Sequence, residues 1–304
     1  MKRVLVLMST YNGAELIIRQ VDSIMNQTGV DITVYIRDDG SSEKTVKVLH
    51  GIKEKYQDKV KICYGNNIGW KRSFIELLYT AEKGFDYYAF SDQDDIWFKE
   101  KVIKCIRIME ADRKRCPKLT HCNALSVDEK LNKRKEQEKK IPVPTNFKSA
   151  IATEYFQGCS MIWNDKAMTC IREYKPLNLQ LAHDYWVGLI CYFFGKIYFV
   201  NTPLFYHIRY ESNSSADGNK HIGRMKRFKE FIGNKGAYMN PASDLINGYA
   251  HKFKKKDINK FLYRIERYKN NLWDKFLLIF DYNFRRPSKM STILFKLNIL
   301  LNRF

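Results

Sequence analysis

The first half of the chain alternates short apolar runs with stretches of helical period. VLVLM (4–8) is a continuous apolar run and predicts a buried strand. Ala14–Asn26 places Leu16, Ile17, Val21 and Ile24 on one face and predicts a helix. ITVYIR (32–37) reads as the next strand, followed by the turn DDGSS and a helix from Ser42 toward Tyr56. KICYG (61–65) is a third strand, NNIGW breaks it, and Ser73–Glu82 is a helix before the strand YYAF (87–90). A helix over about Lys99–Arg113, strands LTHCNAL and SMIWN, an apolar helix Asp184–Phe194 and a strand IYFV (197–200) follow. Strands separated by helices of this length imply right-handed crossovers and a mostly parallel α/β sheet.

The pattern changes near Ser215. SNSSADGNK (212–220) reads as a linker, which divides the chain into an α/β domain over 1–215 and a mainly helical region over 216–304. Helices are expected over about 257–280 and in the closing ILFKLNILLNRF, where Ile293, Leu297, Leu300 and Phe304 share a face. Residues 128–140, DEKLNKRKEQEKK, are nearly all charged and predict an exposed loop or hairpin tip.

Composition narrows the class. With 45% hydrophobic residues, the 304-residue chain can build a globular core. No apolar run approaches the roughly 18 residues of a spanning helix. The start, MKRVLVLMSTYN, is basic but lacks an A-x-A-like cleavage site, so it reads as a strand rather than a signal peptide. Seven scattered cysteines without a C-x-x-C pair argue against a disulfide framework or zinc site and for a reducing compartment.

Charge is unevenly distributed. Of the net +20, +14 lies between Lys220 and Phe304, where 20 Lys and Arg face 6 Asp and Glu. This stretch has three readings: a solvated face on a helical lobe, a peripheral contact with an anionic membrane, or a nucleic-acid surface. The membrane reading is favoured, because the chain shows no nucleic-acid module. The final segment also suits pairing with a second copy.

Against this basic background, FSDQDDIWFKEK (90–101) crowds Asp92, Asp94 and Asp95 at a strand end, and Asp38-Asp39 closes an earlier strand. Two carboxylates about 4 Å apart repel by roughly 4 kcal/mol at an effective dielectric near 20. Protonation, a basic side chain or a divalent cation relieves such a cluster. Ligands of open α/β sheets bind at the carboxyl ends of the strands, and Mg²⁺ takes one or two carboxylates together with substrate phosphates. The pattern therefore predicts a metal–diphosphate site. Turn and helix-cap roles are the plainer alternative for any single Asp.

STYNG, RDDGSS, SDQDDIW and HDYW, in that order, resemble the family-2 nucleotide-sugar glycosyltransferases, and FSDQDDIW with LMSTYNG and IRDDGSS is most similar to bacterial rhamnosyltransferases of polysaccharide synthesis. The resemblance covers roughly residues 1–213. It implies a GT-A fold, a Rossmann-like sheet flanked by helices, here with a C-terminal helical extension. It implies that Thr10 and Asn12 line the nucleotide pocket, that Asp38 and Asp39 meet the base, and that Arg72 meets the diphosphate or base. Asp92 and Asp94 take the D-x-D positions; Asp92 faces the ribose, and Asp92, Asp94 and Asp95 are the candidate ligands of Mg²⁺ or Mn²⁺. Asp184 takes the place of the general base, with a helix N-cap as its structural alternative. Relatives often carry Tyr-Arg-x-His where this chain has Tyr206-His207-Ile208-Arg209, so either His207 or Arg209 is the candidate contact to the diphosphate.

The function so implied is inverting transfer of a sugar, L-rhamnose from dTDP-rhamnose in the first reading, to a glycan or lipid-linked glycan of the cell surface. The implied location is cytoplasmic, at the inner face of the membrane. A UDP-hexose or UDP-N-acetylhexosamine donor is the alternative within the class. A non-catalytic nucleotide-sugar or polyanion-binding protein is the alternative outside it.

Overall fold

The computed structural model describes residues 1–135, 143–210 and 240–304. The expected linker 212–220, residues 136–140 of the charged stretch, and the beginning of the basic region lie outside them. Two compact units emerge, counting the described residues within each range. One gathers Met1–Lys139, Phe156–Lys175 and Ala182–Arg209; the other gathers Lys140–Tyr155, Pro176–Leu181 and Tyr210–Phe304.

The first unit is built on one sheet of β1 (Lys2–Thr10), β2 (Val30–Asp38), β3 (Val60–Tyr64), β4 (Tyr87–Ser91), β5 (Ile96–Trp97), β6 (Lys118–Val127), β7 (Met161–Asn164) and β8 (Lys196–Ile208). The strand order is β3-β2-β1-β4-β7-β6-β8-β5. Strands β3, β2, β1 and β4 run parallel. The expectation of a mostly parallel sheet holds for six of the eight strands; beyond β4, β7 and β5 are reversed and make the sheet mixed. β7 is antiparallel to both β4 and β6, β6 and β8 are parallel, and β5 closes the edge antiparallel to β8. Two-residue β5 is too short to leave a periodic signal.

Helices α1 (Ala14–Met25), α2 (Glu43–Tyr56), α3 (Trp70–Thr80), α4 (Lys101–Ala111), α6 (Asp165–Ile171) and α7 (His183–Phe194) belong to this unit, while α5 (Phe147–Ala152) belongs to the other. Val4–Met8 is buried throughout, as expected of a strand covered on both faces. Ile17, Val21 and Ile24 of α1 join the same core as Ile36, Leu49 and Val102.

The register positions the site. β1 lies between β2 and β4, with Thr10 opposite Asp38 and Met8 opposite Ser91. The carboxyl ends of three strands therefore emerge side by side, where the strand order reverses.

The second unit is helical: α5, α8 (Ala242–Tyr249), α9 (Lys256–Arg267), α10 (Leu272–Phe280) and α11 (Lys289–Leu300). The single stretch expected over 257–280 is two helices. Asn271 separates them and caps α10, accepting from the Trp273 and Asp274 amides at 3.0 Å each. Aromatic rings fill the core, with Phe261–Phe284, Phe284–Phe295 and Phe295–Phe304 centroids 5.0, 4.9 and 5.0 Å apart. On α11 the apolar face read from the sequence points out of the core. Phe295 and Ile299 enter the core, whereas Ile293, Leu297 and Leu300 are exposed. This helix is apolar on two sides, and periodicity alone could not choose between them. Phe304, also expected on that face, is buried past the helix end, its carbonyl accepting from the Tyr268 hydroxyl at 2.7 Å.

Candidate active site

The loop after β1 forms the first wall. Asn12 adopts a left-handed backbone (φ 50°), which Asn tolerates. Its Oδ1 accepts from the Ser42 amide at 2.8 Å, and its own amide donates to Ser41 Oγ at 3.0 Å. This ties the STYNG and DDGSS turns together. Thr10 is buried and donates to Gln93 Oε1 at 2.6 Å; the Tyr11 amide donates to the same oxygen at 3.0 Å. Gln93, between the D-x-D carboxylates, thus clasps the first wall to the third.

Asp38 and Asp39 differ in role. Asp39 pairs with Arg37 and accepts from the Ile68 and Gly69 amides at 3.0 and 2.9 Å. Gly69 at φ 81° lets its amide turn toward that carboxylate. Asp39 therefore fixes the loop that starts α3, whose first turn carries the half-buried Arg72. Asp38 accepts from the Ser41 amide at 3.1 Å through Oδ2, while Oδ1 is buried without a hydrogen-bond partner.

The third wall is the acidic cluster. Carboxylate oxygens of Asp92 and Asp95 lie with the Cys159 sulfur within 4.8 Å of one another. Both Asp95 oxygens are buried without a hydrogen-bond partner. Asp94 stands beside this group, half-buried, and feels the Asp92 charge. Burial, then Asp92, push the Asp94 carboxyl up to about 6, against the pull of His207 and Arg209. Burial also raises Asp92 and Asp95, while His207 and Lys101 draw both down. His207 thus faces all three carboxylates. The pairing of Ile96 with Tyr206 brings the end of β8 alongside β5 and so places it there.

Half-buried Asp92 beside buried Asp95, whose two oxygens are both open, suits a hard divalent cation such as Mg²⁺ or Mn²⁺. The Cys159 thiol donates to Asp92, which leaves the carboxylates as the ligating set. Beneath the cluster, Lys101 is fully buried. Its Nζ donates to the Cys159 carbonyl at 2.5 Å and lies 3.5 Å from the Trp97 ring centroid and 4.5 Å from that of Phe205. Trp97 is accordingly a core aromatic.

Asp184 reaches this cluster through two consecutive residues. It sits in the first turn of α7, where Ala182 is the N-cap residue. Its Oδ2 accepts from the Gly158 amide at 3.2 Å, and Oδ1 from the Tyr185 amide at 2.8 Å. Gly158 is followed directly by Cys159, the neighbour of Asp92 and Asp95. A Cβ on Gly158 would lie 2.6 Å from His183 Nε2, so only glycine permits this approach. His183 itself is buried, stacked on Phe74 at 4.0 Å, and held neutral by burial, with its pKa lowered to about 3.

Every residue proposed for the site from sequence lies in this unit. Asp92, Asp94, Asp95, His207 and Arg209 share one electrostatic neighbourhood. Asp184 joins them through Gly158–Cys159, and Thr10 through Gln93. Sequence reasoning missed Gln93 and Lys101, which stand inside the singled-out FSDQDDIWFKEK stretch. The resemblance places FQGCSM (156–161) at the acceptor and donor pockets, with Gly158 open to close backbone approach, but Cys159 itself read only as a small buried residue.

The family model for Glycosyl transferase family 2 matches residues 5–170, more than half of the chain. The chain belongs to this family. The matched span contains the acidic cluster, while Asp184, His207 and Arg209 lie beyond it. The family-2 chain is similar to dTDP-rhamnosyl transferase RfbG of Shigella flexneri, 34% identical over 112 residues, which is 36% of this chain and 39% of that protein. It is also similar to UDP-Glc:alpha-D-GlcNAc-diphosphoundecaprenol beta-1,3-glucosyltransferase WfaP of Escherichia coli, 30% identical over 118 residues, 37% of this chain and 43% of that protein. The matches span less than half the length of these curated relatives. Among solved structures, S. aureus TarS 1-349 superposes over 100% of this chain and 81% of its own, with TM-score 0.56 and 15% identity. Mannosyltransferase PcManGT from Pyrobaculum calidifontis, solved with GDP-Man and Mn²⁺, does so over 99% and 88%, with TM-score 0.52 and 14% identity. These likenesses identify the fold as GT-A, with a helical C-terminal region.

Proposed function

We propose that this family-2 glycosyltransferase is an inverting, metal-dependent enzyme that transfers L-rhamnose from dTDP-rhamnose to a glycan or lipid-linked glycan of the cell surface. The observation that carries the mechanism is the Gly158–Cys159 pair, which joins the Asp184 carboxylate to the Asp92/Asp95 cluster. In this reading the acceptor hydroxyl attacks the anomeric carbon as its bond to the diphosphate oxygen breaks. The electron pair leaves with the nucleoside diphosphate, and the hydroxyl proton passes to Asp184. Asp92 and Asp95, with Asp94 alongside, hold Mg²⁺ or Mn²⁺, which when bound supplies positive charge to the leaving diphosphate. His207 and Arg209 face the same diphosphate. Thr10, Asn12 and Asp38 line the nucleotide pocket, where the open Asp38 Oδ1 suits a base N–H. Asp39 and Arg72 shape its border.

The rhamnosyl donor rests on the similarity to the Shigella protein. The similarity to a UDP-Glc-using relative supports a UDP-hexose as the second reading. A thermal-shift screen of dTDP-rhamnose, UDP-glucose, UDP-galactose and UDP-N-acetylglucosamine with Mn²⁺ separates the two, since a ligand of the native state raises the melting point. Stabilisation by dTDP-rhamnose alone supports the proposal; stabilisation by UDP-sugars alone replaces the donor. A cytoplasmic location at the inner membrane face belongs to the same proposal. Among the described residues, no helix is long and apolar enough to cross a membrane.

A further inference from the structure

The C-terminal unit carries a second surface that transfer chemistry does not use. Along α10, Leu272, Phe276 and Phe280 recur every fourth residue; Leu272 and Phe280 are 82% and 70% exposed, with Trp273 beside them at 67%. The Trp273 and Phe276 rings stack at 5.6 Å, and Phe276 and Phe280 lie 4.4 Å apart. Ile293, Leu297 and Leu300 form a matching exposed stripe on α11. The two stripes border one groove of about 570 Å³. Scattered exposed apolar residues are ordinary, but contiguous stripes on neighbouring helices mark an interaction surface.

The surroundings of this groove are basic. Lys275 and Lys296 line it. Arg285, Arg286 and Lys289 line an adjoining cleft of about 810 Å³, which shares Phe280 and Ile293 with the groove. From Leu272 to Phe304, six Lys and Arg stand against two Asp. Both Asp are engaged by cations from outside that stretch: Asp274 by Arg264 and Arg267 at 3.4 and 3.2 Å, and Asp281 by Lys148 at 2.5 Å.

We infer that the α10–α11 face docks on an anionic lipid bilayer. Trp273, Phe276, Phe280 and Ile293 enter the boundary between headgroups and acyl chains, and Arg285, Arg286 and Lys289 meet the lipid phosphates. Large amphipathic aromatics beside basic residues suit that interface. A second copy of the chain would set the same positive rim against itself, and like charges oppose such pairing. The inference locates the expected membrane contact on two named helices, and it rests on none of the transfer chemistry.

The test is sedimentation of the full chain with vesicles of phosphatidylcholine alone or mixed with phosphatidylglycerol, together with tryptophan quenching by brominated lipid. No donor or acceptor enters, so the outcome is independent of the transferase reading. The expected result is binding to the anionic vesicles, weakened by salt. Phe276→Ser with Phe280→Ser lowers partitioning on the order of tenfold or more. Arg285→Glu with Lys289→Glu lowers it on the order of a hundredfold. Trp273→Phe keeps binding and loses most of the quenching. The altered side chains are exposed, so melting temperatures hold. Binding to neither vesicle, equal binding to both, or quenching that survives Trp273→Phe would overturn the inference. So would a solution dimer that Phe276→Ser with Phe280→Ser converts to monomer, which would make the face a self-association surface.

Discussion

Replacing Asp94 by Asn should make the metal-free chain more stable while impairing transfer. Burial and the Asp92 charge raise the Asp94 carboxyl from 3.8 to about 6. At about 1.4 kcal/mol per pKa unit, holding this group ionised at about pH 7.5 costs the folded chain up to about 3 kcal/mol relative to the unfolded one. The folded state binds this proton more tightly. The favourable contribution is therefore complete below the unfolded pKa near 3.8 and lost as pH rises through about 6. Asn copies the neutral acid and escapes that loss. In chelator, Asp94→Asn should gain up to about 3 kcal/mol over the unmodified chain at about pH 7.5 and almost nothing at about pH 4. Urea unfolding at the two pH values measures the difference, and added Mn²⁺ should narrow it by neutralising the native cluster. A variant destabilised at the higher pH, or shifted equally at both, would refute the reasoning. A gain in stability at the expense of activity is the usual mark of a functional site.

Three further substitutions probe the surrounding walls. Asp184→Asn should lower kcat by on the order of 10² to 10⁴ with the donor KM little changed, because the carboxylate acts on the acceptor proton; steady-state transfer kinetics read the split. Gly158→Ala sets a Cβ 2.6 Å from His183 Nε2, so it should cost about 1–3 kcal/mol in chemical denaturation and shift the Asp184 carboxylate it supports. Gln93→Ala removes the shared acceptor of Thr10 Oγ1 and the Tyr11 amide; donor KM should rise, and thermal unfolding should register a loss of about 1–2 kcal/mol.

The parts of the site legible in the sequence are those where chemistry and secondary structure coincide. Asp38 closes the β-rich run ITVYIR and Asp92 follows the continuous apolar run YYAF, so both fold and charge cluster announce themselves. Asp39 resembles Asp38 in sequence, yet the structure commits it to Arg37 and the 66–69 loop, a contact no local pattern encodes. Lys101 has the sequence of an exposed helix residue. Only the Trp97 and Phe205 rings, brought together by pairing of β5 with β8, turn it into a buried cation. The reversal of β7 and β5 was hidden for a similar reason: these strands are four and two residues long, and their partners are set by tertiary packing. On α11, two apolar faces compete, and the aromatic core of the helical unit selects Phe295 and Ile299 over Ile293, Leu297 and Leu300.

The central claim is that Asp92 and Asp95 join a divalent cation to a nucleoside diphosphate. Calorimetric titration of dTDP into the unmodified chain and into Asp95→Asn, each with and without Mn²⁺, tests it most directly. The account predicts that Mn²⁺ tightens dTDP binding to the unmodified chain by tenfold or more, on the order of one good ionic contact, and that Asp95→Asn abolishes the gain. Binding of equal strength with and without Mn²⁺, or a gain that survives Asp95→Asn, would contradict it.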